Sequence, residues 1–312
     1  MTSSGLRAAR VLPRFRRGRT RLAPYIFVAP FVVLFLVFLV APLIIAIISS
    51  FFSVQRSGLG FDTPGRSTVF VWFDNYIRAI GDTGFIESFG RVLLFGIVQV
   101  PVMLGLALLF ALLIDSALVR FKRFFQLSIF LPYAVPSVVA ALMWGFLYQP
   151  GVSPIVQGMQ AIGIPADFLA PGTVLWSIAN VTTWGYVGVN MVIMFAALQA
   201  VPEELYEAAK LDGASAFRIA LAIKVPLILP TLALTLLFSI IGTLQLFNEP
   251  QVLRTITSNV SSDFTPNMAI LEVTSNQNNL NLGAAMAVLL GLVTFLLSLV
   301  VSRFDSNRVR SK

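Results

Sequence analysis

Residues Tyr25 to Ile48 read YIFVAPFVVLFLVFLVAPLIIAII, 24 positions without a single charge. At about 1.5 Å of rise per residue, a helix of this length crosses the ~30 Å hydrocarbon layer of a bilayer. Seven arginines precede it (Arg7, Arg10, Arg14, Arg16, Arg17, Arg19 and Arg21), and the first 24 residues contain no acid. Secretory signal peptides also begin basic, but their apolar core runs only ~7–15 residues, so an uncleaved first span is expected here. Pro30 and Pro42 are tolerable within it, because neighbouring helices and adjusted turns can satisfy the backbone groups that proline frees.

Five further apolar runs follow, at 90–114, 124–147, 174–198, 225–247 and 282–302. Together with 25–48 they predict an all-α membrane protein of about six transmembrane helices. A single transmembrane domain is expected over 25–302, between a basic segment, 1–24, and a tail, 303–312. Composition agrees: 57% of the residues are hydrophobic and 12% charged, against roughly 25% charged in soluble domains. The charges cluster in a few places instead of coating every element, as expected when lipid is the main solvent.

Lysine and arginine in the connecting segments set the orientation, since positive residues are retained on the cytoplasmic side. One set of segments holds 17: the seven above, Arg120, Lys122, Arg123, Lys210, Arg218, Lys224, Arg303, Arg308, Arg310 and Lys312. The other set holds five: Arg56, Arg66, Arg78, Arg91 and Arg254. An even number of spans puts both termini on one face, and both fall in the richer set, so both are expected to be cytoplasmic. The outer connections Ser57 to Thr68, Gln149 to Pro154 and Ser258 to Pro266 are polar and rich in turn formers, and are expected to cap the bundle.

Cysteine and histidine are both absent. That removes thiol nucleophiles, disulfides, imidazole bases and the usual zinc, haem and iron–sulfur ligands, so neither a catalytic nor a metal site is expected. The net charge of +8 is explained by topology, which leaves little reason to expect nucleic-acid binding.

The most informative connection lies between the fourth and fifth spans. Val201-Pro-Glu-Glu-Leu-Tyr-Glu-Ala-Ala-Lys-Leu-Asp-Gly-Ala-Ser-Ala-Phe continues to Pro226 and Pro230. Pro202 suits a first helical position, and Glu203 and Glu204 complement the positive end of the helix dipole. Gly213 can end that helix and turn the chain into a second one reaching Pro226. Small residues here permit close approach of a partner surface, with Glu207 and Asp212 offering charged hydrogen bonds. An amphipathic loop lying on the membrane interface is the alternative on composition alone.

Glu207-Ala208-Ala209, Asp212-Gly213-Ala214, Ile223, Pro226 and Pro230 resemble the EAA loop of permease subunits in binding-protein-dependent ABC importers. The resemblance implies that loop 201–226 is a cytoplasmic coupling helix between helices 4 and 5, with Glu207, Ala208, Ala209, Asp212, Gly213 and Ala214 as the residues that engage an ATPase. Ala220 departs from the aromatic residue common in that family. The arginine-rich start with Ala23-Pro24-Tyr25, Phe73-Asp74-Asn75-Tyr76, Leu131-Pro132 and Leu246-Phe247-Asn248-Glu249-Pro250 resemble the carbohydrate-uptake branch. A glycine-rich stretch frequent in that branch is replaced here by Thr255 to Asp263. The resemblance further implies a second homologous permease subunit, two cytoplasmic ATPase subunits carrying ATP and Mg, an extracytoplasmic substrate-binding protein, and residence in a bacterial inner membrane. The implied cargo is a di- or oligosaccharide, or another small solute such as a phosphorylated polyol.

No glycine-rich phosphate loop is present, so the energy source is expected on another subunit. Polar side chains within spans are costly unless they face a cavity or a partner, which makes them candidates for a pathway. The fourth span carries Asn180, Thr182, Thr183, Trp184, Tyr186, Asn190 and Gln199; Gln99, Gln245, Asn248 and Glu249 join from elsewhere. Amides and aromatic faces suit sugar hydroxyls and apolar ring faces, although each such residue could equally serve bonding between helices. An ion-coupled carrier is the main rival, but it generally needs buried ionisable residues, and apart from Glu249 and Asp115 near span ends the runs have almost none. An intramembrane enzyme would lack histidine, cysteine and paired carboxylates within the spans.

Overall fold

The computed structural model describes residues 23–57, 65–116 and 119–309, and the chain divides into two units, Met1–Ile48 and Ser49–Lys312. In the first, helix Ala23–Phe35 leads through a wide π turn, Leu36–Val40, into helix Ala41–Ser50. The π turn is a local answer to Pro42. Proline has no N–H and its ring crowds the carbonyl four residues back, and here the Ala41 N–H reaches one residue further, to the Leu36 carbonyl. The same device recurs before Pro226, where the turn Ala220–Lys224 closes with the Val225 N–H on the Ala220 carbonyl. Tyr25–Ser50 is long and apolar enough to cross a membrane.

The second unit begins with an antiparallel hairpin, strands Phe52–Ser57 and Gly65–Phe70, which pairs Phe52 with Phe70. The segment expected as a simple polar connection therefore includes strand pairing. The Asn75 side chain, at the start of helix Asp74–Gly81, donates to the carbonyls of Ser50 (2.8 Å) and Phe52 (2.7 Å), and the Tyr76 hydroxyl lies 2.6 Å from Ser50 Oγ. Phe73-Asp74-Asn75-Tyr76 is thus the clamp that joins hairpin to helix.

The second span, Thr83–Asp115, starts seven residues ahead of Gly90. Glu87, Ser88 and Arg91 hide its first turns from a hydropathy reading, whereas the cap is local: Asp82 accepts the Phe85 N–H at 2.9 Å. The third run, expected as one helix over 124–147, is broken instead. Lys122–Ala134 and Ser137–Tyr148 meet at 97°. Val135 precedes Pro136 and is held extended, out of the helical region, while Pro136 itself offers no N–H.

The two ends of the bent pair meet opposite ends of the fourth span. Its first half starts beside Asp115, whose carboxylate accepts from Gln199 at the end of the fourth span, Val174–Gln199, and whose carbonyl accepts from Lys122. Its second half ends at Tyr148, whose hydroxyl donates to the Ser177 carbonyl near that span's beginning. Ser177 and Gln199 are about 33 Å apart along a helix, so the pair runs beside most of the fourth span's length.

The fifth span, Leu229–Leu253, is interrupted at 245–247 between helices Leu229–Leu244 and Asn248–Leu253. The sixth is Leu280–Arg303. Among the described residues, buried side chains gather in three clusters. Met103, Ala107, Met191, Met194 and Leu198 bind the second and fourth spans, Phe95, Ile178, Leu246, Leu253 and Phe264 fill the region around Tyr148, and Phe85, Val273 and Met286 hold the sixth span to the second.

Candidate functional site

A cavity of about 350 Å³ opens between the second, fourth and fifth spans. Of the residues expected to line a pathway, Tyr186, Asn190, Gln245, Asn248 and Glu249 reach it, as do Gln99 and Thr182. On the fourth span the contributors are Thr182, Tyr186, Val189, Asn190 and Ile193, which fall on one face at helical spacing. Tyr133, at the bend of the third span, meets Tyr186 edge to face with ring centres 6.0 Å apart. The 245–247 break lays the Gln245, Phe247 and Asn248 side chains along the wall, where a continuous helix would have turned some of them away.

Asn180, Thr183 and Trp184 do not line the cavity. Asn180 donates to the Tyr148 hydroxyl at 2.8 Å, Thr183 accepts from Gln99 at 3.3 Å, and Trp184 packs edge to face on Trp144. Each joins helices. Gln199 likewise lies elsewhere, on Asp115. Sequence reasoning missed Tyr133, Phe238, Ser239 and Thr243 as lining residues; none carries a local signal that separates a lining side chain from a packing one.

The connection between the fourth and fifth spans forms helix Glu203–Leu211, with Pro202 as its cap residue instead of its first helical one. Gly213, at φ +80°, ends it in the left-handed conformation that glycine adopts without a Cβ penalty. The Ala214 N–H donates to the Ala209 carbonyl and the Gly213 N–H to the Lys210 carbonyl, both at 3.0 Å, which is a Schellman closure. Ser215 then caps the next helix by accepting the Arg218 N–H. Glu207, Ala208, Asp212 and Gly213 are exposed, and Ala209 and Ala214 are half-buried.

This loop is anchored at one residue that sequence reading did not single out as a site. The Asp115 carboxylate pairs with Lys224 and accepts from Gln199 at 2.6 Å, and the Lys224 ammonium lies 4.6 Å from the centre of the Tyr206 ring. Ends of the second and fourth spans are thereby joined to both arms of the loop. Burial pushes the Tyr206 hydroxyl above the ordinary tyrosine range and the Asp115 carboxylate adds to the shift, so the phenol stays neutral.

Residues 103–310 match the family of binding-protein-dependent transport system inner membrane components. The chain belongs to that family. As a family member it is a multi-pass permease subunit of an ABC importer, and its role is transport. Among curated relatives, the sn-glycerol-3-phosphate transport system permease protein UgpA of Agrobacterium fabrum is 29% identical, over 93% of this chain and 96% of the relative. The arabinooligosaccharides transport system permease protein AraP of Bacillus subtilis is also 29% identical, over 91% and 89%. UgpA of Salmonella choleraesuis is 30% identical over 94% and 97%. A subunit of a bacterial ABC transporter involved in import of the acidic polysaccharide alginate has the same fold, with a TM-score of 0.78 and 19% identity over 91% of the permease and 95% of that chain.

Proposed function

We propose that this permease is one of two related subunits that together enclose a sugar pathway through a bacterial inner membrane. Two cytoplasmic ATPase subunits, carrying ATP and Mg, drive it through the loop around Glu203–Leu211. An extracytoplasmic binding protein delivers the solute, and both termini of the chain face the cytoplasm.

The observation that carries the reading is the junction at Asp115. It ties an exposed loop, bearing Glu207, Ala208, Ala209, Asp212, Gly213 and Ala214, to the ends of two spans that border the cavity. A push on the loop is thereby delivered to the cavity walls, which is what alternating access requires of a subunit that makes no energy of its own. Amides and tyrosine faces in the cavity suit a polyhydroxylated solute. The relatives support the same class, since their named cargoes are a glycerol phosphate and an arabinooligosaccharide.

Purification of the complex in mild detergent tests the proposal. An ATPase subunit is expected to co-elute with the wild-type permease and to be lost from Glu207→Lys. Solute uptake by this chain alone in ATP-free vesicles would overturn the assignment.

A further inference from the structure

We infer that helix Asp74–Gly81 lies in the surface of the bilayer, with Phe73, Ile77 and Ile80 in lipid and Asp74 and Arg78 in the headgroup layer. It sits at the membrane face opposite the loop around Glu203–Leu211, because Asp82 and Asp115 stand at the two ends of the second span. With that loop in the cytoplasm, the lipid is that of the outer leaflet; only this choice of leaflet rests on the proposed function.

The helix carries three stripes at helical spacing. Asn75 and Ala79 are buried. Ile77 and Ile80 continue a second stripe from the cap residue Phe73, and all three are open, with exposures of 69%, 59% and 59%. Asp74, Arg78 and Gly81 form a third, also exposed. A helix packed on a protein in water needs one buried face and one polar face. An additional exposed apolar stripe is expected of a helix that has protein, lipid and water around it.

The position of the helix selects lipid as the occupant of that stripe. The Asn75 amide holds the Ser50 carbonyl, at the end of the span Tyr25–Ser50, and Asp82, next to the helix's last residue, caps the second span. In the first turn of the sixth span the Asn281 amide donates to the Ser49 carbonyl at 2.8 Å, and Ala79 shares a buried cluster with Leu282 and Met286 of that span. Ends of three spans therefore meet at this helix. The apolar surface continues down the second span at Ile86, Leu93 and Ile97, exposed residues that share one face.

Trp72 supplies an independent observation. Its φ of +51° is a left-handed conformation that a bulky side chain adopts only at a cost. In it the indole is 69% exposed, edge to face on Phe70 with ring centres 4.9 Å apart. An indole at a bilayer surface keeps its ring in lipid and its N–H among headgroups, which gives the strained backbone a use.

Spin-label accessibility tests the inference in the complete importer, reconstituted with cysteine-free partner subunits in proteoliposomes that hydrolyse ATP. This chain has no cysteine, so Asp74→Cys, Ile77→Cys, Arg78→Cys and Ile80→Cys each carry a single label. Collisions with lipid-soluble oxygen are expected to exceed those with a water-soluble nickel chelate at 77 and 80, and the order to reverse at 74 and 78. Nickel in excess at 77 and 80 would put that stripe in water and overturn the inference. Few collisions with either reagent there would overturn it too, since a protein surface, the second permease or the binding protein, would then cover the stripe. Oxygen in excess at all four positions would sink the helix below the headgroups and equally rule out the proposed placement.

Discussion

Gly185 and Gly188 lie nearly one turn apart on the fourth span, and their surroundings differ completely. A Cβ at Gly185 would meet nothing within 4 Å, whereas one at Gly188 would collide with the Ile129 carbonyl and the Phe130 backbone. Backbone cannot rotate aside as a flexible side chain can, so at Gly188 the third span itself would have to move. Gly188→Ala is therefore expected to cost about 1–3 kcal/mol, the usual range for overpacking, and Gly185→Ala close to nothing. Thermal unfolding of the two variants in one detergent checks this, and equal midpoints would show that the close approach at Ile129 is not rigid. At the same scale the cavity was half legible. Thr182, Tyr186 and Asn190 share a face with Val189 and Ile193, a periodicity present in the sequence, while Asn180, Thr183 and Trp184 point to other neighbours. Counting polar residues in a span finds both sets, and only rotation about the helix axis separates them.

Among the elements, the spans were legible because a long apolar run is a local property, and the fourth matches its expected bounds within a residue. Caps and breaks shifted the others. Asp82 starts the second span amid polar residues, Val135-Pro136 splits the third, and the strand pairing of Phe52–Ser57 with Gly65–Phe70 depends on a partner strand that no apolar run announces. The bend in the third span has a direct consequence for topology. If the pair of helices crosses the bilayer, the residues before it and after it lie on opposite faces; if it dips and returns, they lie on one. The chain contains no cysteine, so single-cysteine variants need no prior engineering. Arg120→Cys and Gly151→Cys are expected to react with a membrane-impermeant maleimide from opposite sides of oriented vesicles. Labelling from the same side would make the pair re-entrant and would place the two termini on opposite faces.

For the whole molecule, the question is how force applied at an exposed loop reaches a cavity between spans. On the proposed reading, docking and transmission fall to different residues. Glu207 and Asp212 are exposed on the loop, whereas Asp115 and Lys224 are mostly buried, with side-chain exposures of 7% and 16%, where the loop meets the span ends. Removing one member of a buried ion pair leaves the other charge uncompensated, at a cost of about 3–5 kcal/mol, while replacing both with apolar groups of similar size is far better tolerated. Lys224→Met is therefore expected to destabilise the permease more than Asp115→Leu combined with Lys224→Met, which a thermal series measures. The double variant then isolates transmission, because its fold and its exposed loop are retained while the polar tie at Asp115 is gone. It is expected to co-purify with the ATPase subunits at wild-type levels and to hydrolyse ATP, yet to move less solute for each ATP consumed. Glu207→Lys should behave in the opposite way, losing the ATPase itself. Wild-type transport per ATP in the double variant would show that apolar packing around Ile228 and Leu198 carries the movement without the charge pair.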